Sequence, residues 1–232
     1  MKLILFDVDG TLVDSQNLIV AAQRAAFAVH GLEAPSREKS LSIVGLSLVE
    51  AFTALVGPRG PVESLAEAYR QAFSELRQDP ANHEPLFPGA ADLLARIGNR
   101  DDALLGIATG KSRRGVAHLL ARHDWERLFT TIQTADDAPS KPDPTMIRQA
   151  MAEVGAGSTD TIMIGDTTFD VMMARSAGVT PIGVAWGYHP VAALREAGAE
   201  AIVASYEELS QLLDRLLAAP SQGSASTPMC HA

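Results

Sequence analysis

The chain opens on a short apolar run. Lys2 to Phe6 is rich in Leu and Ile, the pattern of a strand buried on both faces. Ser15 stands where a helix N-cap is expected. Leu18, Ile19, Ala22, Ala25, Ala26 and Val29 follow at helical spacing, with Gly31 as the C-terminal stop. A second helix is predicted over Arg37 to Val44, broken at Gly45-Leu46, and a third over Ser47 to Val56. Pro61 suits the first turn of a fourth, in which Val62, Leu65, Ala66, Tyr69, Ala72, Phe73 and Leu76 share one face. No convincing strand pattern occurs between Ser15 and Pro85.

After Pro88-Gly89 the pattern changes. Strands are predicted at Leu104–Ala108, Leu128–Gln133, Thr161–Ile164, Pro181–Ala185 and Ala201–Ala204. They alternate with helices over Ala90–Gly98, Arg113–Arg122, Pro144–Val154, Thr168–Ala177, Val191–Ala197 and Tyr206–Leu217. Apolar strands alternating with helices imply an α/β fold, a Rossmann-like parallel sheet covered on both faces. Residues 1–14 and 88–217 form the expected core, and residues 15–87 a helical cap inserted after the first strand. Residues 218–232, rich in Ser, Ala and Pro without periodicity, are expected to be disordered. Hinges are expected near Asp14-Ser15 and Phe87-Pro88, about which the cap would open and close.

Composition narrows the options. The 232 residues carry 19 Lys and Arg against 28 Asp and Glu, a net charge of -9. With no basic stripe, nucleic-acid binding through phosphate neutralisation is not expected. One cysteine, Cys230, cannot form an internal disulfide, and no Cys/His cluster suggests zinc. The first apolar run is too short for a signal peptide, and Leu41–Gly57 is interrupted by polar residues, so no membrane span is expected. A reduced, cytoplasmic location is the expectation. Nothing in the pattern specifies an oligomeric state.

In open parallel sheets, ligands bind beyond the carboxyl ends of the strands. The unusual polar residues fall there. Asp7 and Asp9 leave the first strand in Asp7-Val8-Asp9-Gly10-Thr11-Leu12, two residues apart, so both carboxylates can face one direction. Acids this close repel each other, which suggests a cation and a division of roles. Gly10 permits a tight turn, and Thr11 can offer a hydroxyl or N–H to an anion. Thr109-Gly110 ends the next strand ahead of a helix, which suits an anion cradle or an ordinary N-cap turn. Gly110-Lys111-Ser112 resembles the end of a P-loop, but Leu105 occupies the position where that motif needs a glycine, and this reading is rejected. Lys141, between Ser140 and Pro142-Asp143-Pro144, could neutralise a phosphate. Asp166 sits at a strand end, with Asp170 one helical turn on. The pair can hold a hard cation, or act as a helix cap with an acid in the first turn.

The order and spacing of these residues resemble the haloacid dehalogenase-like hydrolase superfamily, in the subfamily with a helical cap after the first strand. The resemblance covers nearly the whole chain apart from the tail. It rests on Asp7-Val8-Asp9-Gly10-Thr11-Leu12, Thr109-Gly110, Lys141-Pro142, and Gly165-Asp166 with Asp170. It implies a magnesium-dependent phosphatase acting through an aspartyl-phosphate on a small phosphorylated metabolite. Asp7 would be the nucleophile and Asp9 the general acid/base. Thr109, Gly110 and Lys141 would bind the phosphoryl group. Asp7, the backbone carbonyl of Asp9, and Asp166 would hold the metal. Asp170 would bind the metal directly or through water, or hold Lys141. An acid at Asp9 argues against dehalogenases and phosphonate hydrolases, whose leaving groups need no proton. A phosphosugar mutase and an inactive binding protein on the same fold remain as alternatives. Gly183-Val184-Ala185-Trp186-Gly187-Tyr188 is similar to the matching segment of phosphoglycolate phosphatases, although Trp186 and Tyr188 could equally be packing. Gly45-Leu46-Ser47 in the cap, and Arg24 and Arg113, are candidates for substrate contact.

Overall fold

The computed structural model describes residues 1–79 and 82–218. Six strands, β1 (Lys2–Phe6), β2 (Ala103–Ala108), β3 (Thr131–Gln133), β4 (Thr161–Gly165), β5 (Thr180–Val184) and β6 (Ala201–Val203), form one parallel sheet in the order β3-β2-β1-β4-β5-β6. β1 lies at the point where the strand order reverses. Its side chains alternate between two cores. Leu3 and Leu5 pack with Met146, Ile147 and Met173 on one face, while Ile4, Phe6 and Val8 pack with Leu93, Leu94, Leu209 and Leu213 on the other. Burial on both sides is why the run is continuously apolar. The helices of this domain are α5 (Ala90–Gly98), α6 (Arg113–Arg122), α7 (Thr145–Val154), α8 (Thr168–Ala177), α9 (Val191–Ala197) and α10 (Tyr206–Ala218), and the partners named come from α5, α7, α8 and α10.

Register fixes the site. Phe6 is level with Ile107 of β2 and with Ile164 of β4, and the Asp7 N–H extends the ladder to the Ile164 carbonyl at 2.9 Å. The residues that follow each strand, Asp7, Thr109 and Asp166, therefore emerge close to one level at the carboxyl edge.

The insert between β1 and α5 contains α1 (Gln16–Val29), α2 (Arg37–Leu41), α3 (Leu48–Val56) and α4 (Val62–Leu76). α1 and α4 lie along each other over a small core of Ala26, Phe27, Phe52, Leu65 and Ala66. Its two connections to the sheet domain run side by side. Val13 pairs antiparallel with Leu86, the Asp14 N–H donates to the Pro85 carbonyl at 2.8 Å, and the Phe87 N–H to the Leu12 carbonyl at 3.0 Å.

Three expectations need correction. The helix predicted over Arg37 to Val44 ends at Leu41, because residues 42–45 turn sharply, with Gly45 at φ +100°. That turn lowers Gly45 and Leu46 onto the end of β2. The strand predicted from Leu128 begins only at Thr131, since the Leu128 N–H closes a turn on the Trp125 carbonyl at 3.0 Å. Ala218 closes α10 where disorder was expected. The rest of that expected tail, with Cys230, lies outside the described residues. Among the described residues no helix is long and apolar enough to cross a membrane.

Candidate active site

Asp7, Asp166 and Asp170 converge at the carboxyl edge, each offering a carboxylate oxygen within 4.8 Å of the others. None is more than 1% exposed. Lys141, on the loop ahead of α7, reaches between them: its ammonium lies 2.6 Å from Asp170 Oδ1 and 3.0 Å from Asp7 Oδ1. Asp170 therefore holds Lys141. Its second oxygen accepts from the Thr167 N–H at 3.1 Å and the Thr167 hydroxyl at 2.6 Å, the cap of α8. Asp166 is likewise held, by the Thr11 hydroxyl at 3.0 Å and the Tyr188 N–H at 2.8 Å. Gly10 is required beside it, since a Cβ there would run into the Asp166 carboxylate and the backbone sits at φ +84°.

Asp7 differs. Lys141 is near in distance but not aligned, and neither carboxylate oxygen has a hydrogen-bond partner although both are buried. Burial raises its pKa, against the pull of Lys141, to about 6. Burial and then the charges of Asp170 and Asp7 push Asp166 well above the usual carboxylate range. Lys141 is held above its ordinary value: burial opposes its charge, but Asp170 and Asp7 outweigh it.

Three carboxylates facing one ammonium leave a surplus of negative charge in a buried site, which is costly without a cation. The donors are all hard oxygens, and Asp7 is the carboxylate left without hydrogen-bond donors. The cluster thus fits a divalent cation of the magnesium or calcium type.

Thr11, expected to face an anion, does other work. Its hydroxyl is given to Asp166, its N–H to the Val8 carbonyl at 3.2 Å, and its carbonyl accepts from Trp186 and Tyr206. Wholly buried, it positions Asp166. Ser15 also departs from expectation. It occupies the N-cap position of α1 without capping it, and its hydroxyl donates to Asp9 Oδ1 at 2.7 Å.

Above the cluster lies a cavity of about 570 Å³ between the cap and the sheet edge. Asp7, Asp9, Thr109 and Gly110 line its floor, and Phe52, Tyr69 and Phe73 are among its apolar walls. The cap comes down closely here. A Cβ on Gly110 would collide with the Gly45 carbonyl, and the Ser47 N–H donates to the Ser140 hydroxyl at 2.8 Å. Gly45, Leu46 and Ser47 all line the cavity. Arg24 and Arg113 do not. Arg24 is exposed on α1, and Arg113 turns outward to Asp137 at 2.6 Å. Trp186 packs on Tyr206 with ring centroids 4.7 Å apart, and the Tyr188 hydroxyl accepts from the Ser15 N–H at 3.0 Å. Their contacts are those of packing and of holding Asp166 and Ser15.

Lys111 was missed by the sequence reading. Its ammonium bridges Asp9, at 2.8 and 3.1 Å from the two oxygens, and Glu84 at 3.3 Å. The signal was present: a lysine directly after the Thr109-Gly110 cradle.

A sequence profile described as haloacid dehalogenase-like hydrolase matches residues 4–184. The chain belongs to this family. The hydrolase is 33% identical over 210 residues to a protein named probable phosphatase IndB from Dickeya dadantii, covering 89% of this chain and 91% of that one. It is 33% identical to a pyrophosphatase PpaX from Oceanobacillus iheyensis, over 80% of this chain and 84% of the relative. A phosphoglycolate phosphatase from Synechococcus elongatus is 30% identical over 94% of this chain and 99% of its own length. Among solved structures, a hydrolase from Pseudomonas syringae superposes with a TM-score of 0.82 at 26% identity, covering 93% of this chain and 99% of that one. The matched span runs from β1 to β5 and so contains the carboxylate cluster, Lys141 and Lys111.

Proposed function

We propose that this hydrolase is a magnesium-dependent phosphomonoester phosphatase that forms an aspartyl-phosphate on Asp7. The observation that carries the reading is the buried Asp7 carboxylate. It stands on the cavity floor with no donor of its own, next to Lys141 and two further carboxylates. Such a group is available for nucleophilic work, whereas the oxygens of Asp166 and Asp170 already accept from Thr11, Tyr188, Lys141 and Thr167.

Asp7, Asp166 and Asp170, with the Asp9 carbonyl, would hold the metal. When bound, magnesium keeps Asp7 ionised and offsets the repulsion between a carboxylate and an anionic phosphoryl group. The phosphoryl oxygens would rest against the Thr109 hydroxyl, the Gly110 N–H and the Lys141 ammonium. An Asp7 oxygen attacks phosphorus as the bond to the leaving oxygen breaks, and Asp9 gives that oxygen a proton. Asp9, now a carboxylate, takes a proton from water. The water oxygen attacks phosphorus, the bond to Asp7 breaks, and inorganic phosphate leaves with Asp7 restored. The cap residues Gly45 to Ser47 exclude bulk water above these steps.

The substrate is a small phosphorylated metabolite, and phosphoglycolate is one candidate through the similarity to the phosphoglycolate phosphatase of Synechococcus elongatus. A cavity of about 570 Å³ has room for a larger leaving group as well. Titrating magnesium while following phosphate release from p-nitrophenyl phosphate tests the activity: metal-dependent turnover is expected, and its absence refutes the reading. Comparing kcat/KM across phosphoglycolate, pyrophosphate and sugar phosphates then ranks the leaving groups. A flat profile counts against a dedicated phosphoglycolate enzyme.

A further inference from the structure

Asp9 sits on a loop, 14% exposed at its side chain, and a proton donor is useful only when its oxygen points at the leaving group. Two contacts fix it. The Ser15 hydroxyl donates to Oδ1 at 2.7 Å, and the Lys111 ammonium reaches both oxygens. A lysine is by itself a poor clamp, being a point charge on a flexible four-carbon stem. Here the stem is buried and the ammonium is held from behind. Glu84 Oε1 lies 3.3 Å from it, and the Phe73 ring centroid 5.2 Å. Glu84 is held in turn: its Oε2 accepts from Arg77 Nε at 2.9 Å, and the Arg77 guanidinium lies 4.6 Å over the same Phe73 ring.

With Asp9 ionised, acids and bases alternate along this chain, from Asp9 to Lys111 to Glu84 to Arg77, and the charges balance; once Asp9 has taken up the proton it donates, Lys111 stays paired with Glu84. The placement in the fold is also specific. Ser15 immediately follows the first connection to the cap, Glu84 immediately precedes Pro85 in the second, and Arg77 ends α4. The groups that orient Asp9 thus come from both connections between cap and core.

We propose that Lys111 and Glu84, braced by Arg77, are positioning residues that aim the Asp9 carboxyl at the leaving oxygen. The proposal rests on Asp9 being the proton donor in the phosphatase reaction. Its signature is selective. A leaving group of low pKa departs without a proton, so misaiming Asp9 should damage only reactions with basic leaving groups. kcat/KM, which reports phosphoryl transfer to Asp7, is therefore measured for 2,4-dinitrophenyl phosphate and for glycerol phosphate. Loss of a general acid costs about 10²–10⁴-fold, and misaiming it a part of that, so Glu84→Gln should lower the glycerol phosphate value about 10–100-fold and the dinitrophenyl value less than about threefold.

Arg77→Gln should show the same pattern, more weakly, and it decides the matter if a thermal melt shows that Glu84→Gln does not fold. Asp9→Asn supplies the reference pattern. Equal losses on both substrates would overturn the positioning role while leaving the phosphatase reading intact. A wild-type protein that does not hydrolyse dinitrophenyl phosphate with magnesium would overturn the reading and this proposal together.

Discussion

Two groups of charged residues meet at the end of β1, only two residues apart in sequence, and they are balanced differently. Asp7, Asp166 and Asp170 face a single ammonium from Lys141, in full burial. Asp9 and Glu84 face two cations, Lys111 and Arg77, at the edge of the cavity. The unbalanced group is unstable as it stands and gains from a divalent cation. The balanced one has no such need and is suited to holding a side chain in one orientation. Neighbouring carboxylates on one strand end thereby acquire separate tasks from their surroundings.

The largest effect is expected at Asp7. Asp7→Asn should lower kcat by at least about 10⁴-fold, as removal of a nucleophile does. The same change removes a surplus buried charge, so in EDTA at pH 7.5 the variant should be more stable than wild type by about 1–3 kcal/mol. Both are read from one preparation by turnover and by denaturant melt. A variant that is inactive and also less stable would place the charge surplus elsewhere.

Lys141→Met makes the opposite change. It strands three carboxylates, and a stability loss of about 3–5 kcal/mol is expected in EDTA, alongside loss of activity. Magnesium should recover part of that stability. Near-neutral stability for this variant would contradict the account of the cluster.

Magnesium and pH sharpen the same point. Asp7 has a folded pKa of about 6 against an ordinary 3.8, and Asp166 is raised in the same direction. The folded metal-free protein therefore binds protons that the unfolded chain has released. The share of stability that comes from Asp7, read as wild type against Asp7→Asn, should fall as pH rises from about 4 to 6 and level off above. Magnesium competes with those protons. At a hundredfold excess over Kd it should add about 2–3 kcal/mol at pH 7.5, and clearly less at pH 5.5. Equal increments in Tm at the two pH values would contradict this.

The fold was largely legible because its signals are local and repeated. Continuous apolar runs gave the strands, and Pro88-Gly89 marked the return from cap to core. The errors came where tertiary contact overrides pattern. Residues 42–45 leave helical geometry to bring Gly45 against Gly110, and nothing local in Ser42-Ile43-Val44 foretells that contact. The cluster of Asp7, Asp166, Asp170 and Lys141 was readable because all four lie at strand ends or in stiff turns. Ser15 does stand at the N-cap of α1, but its hydroxyl, like that of Thr11, bonds a strand-end carboxylate brought near by the fold and not a local N–H or an anion. Lys111 and Glu84 were invisible as a pair, being 27 residues apart with no pattern linking them.

The smallest expected effects come from the arginines that the fold turns outward. Arg24→Ala and Arg113→Ala should leave kcat/KM within about twofold and stability within about 0.5 kcal/mol, as for ordinary surface sites. A tenfold rise in KM for either would return it to the substrate cavity.

The central claim is that Asp7 itself carries the phosphoryl group. Acid quench during turnover, borohydride reduction and peptide mass mapping read this directly, because an acyl phosphate is reduced where a carboxylate is not. Reduction is expected at Asp7, dependent on substrate and magnesium, and none at Asp9 or in Asp7→Asn. Turnover with no reducible species at Asp7, or with the modification on another residue, would contradict it.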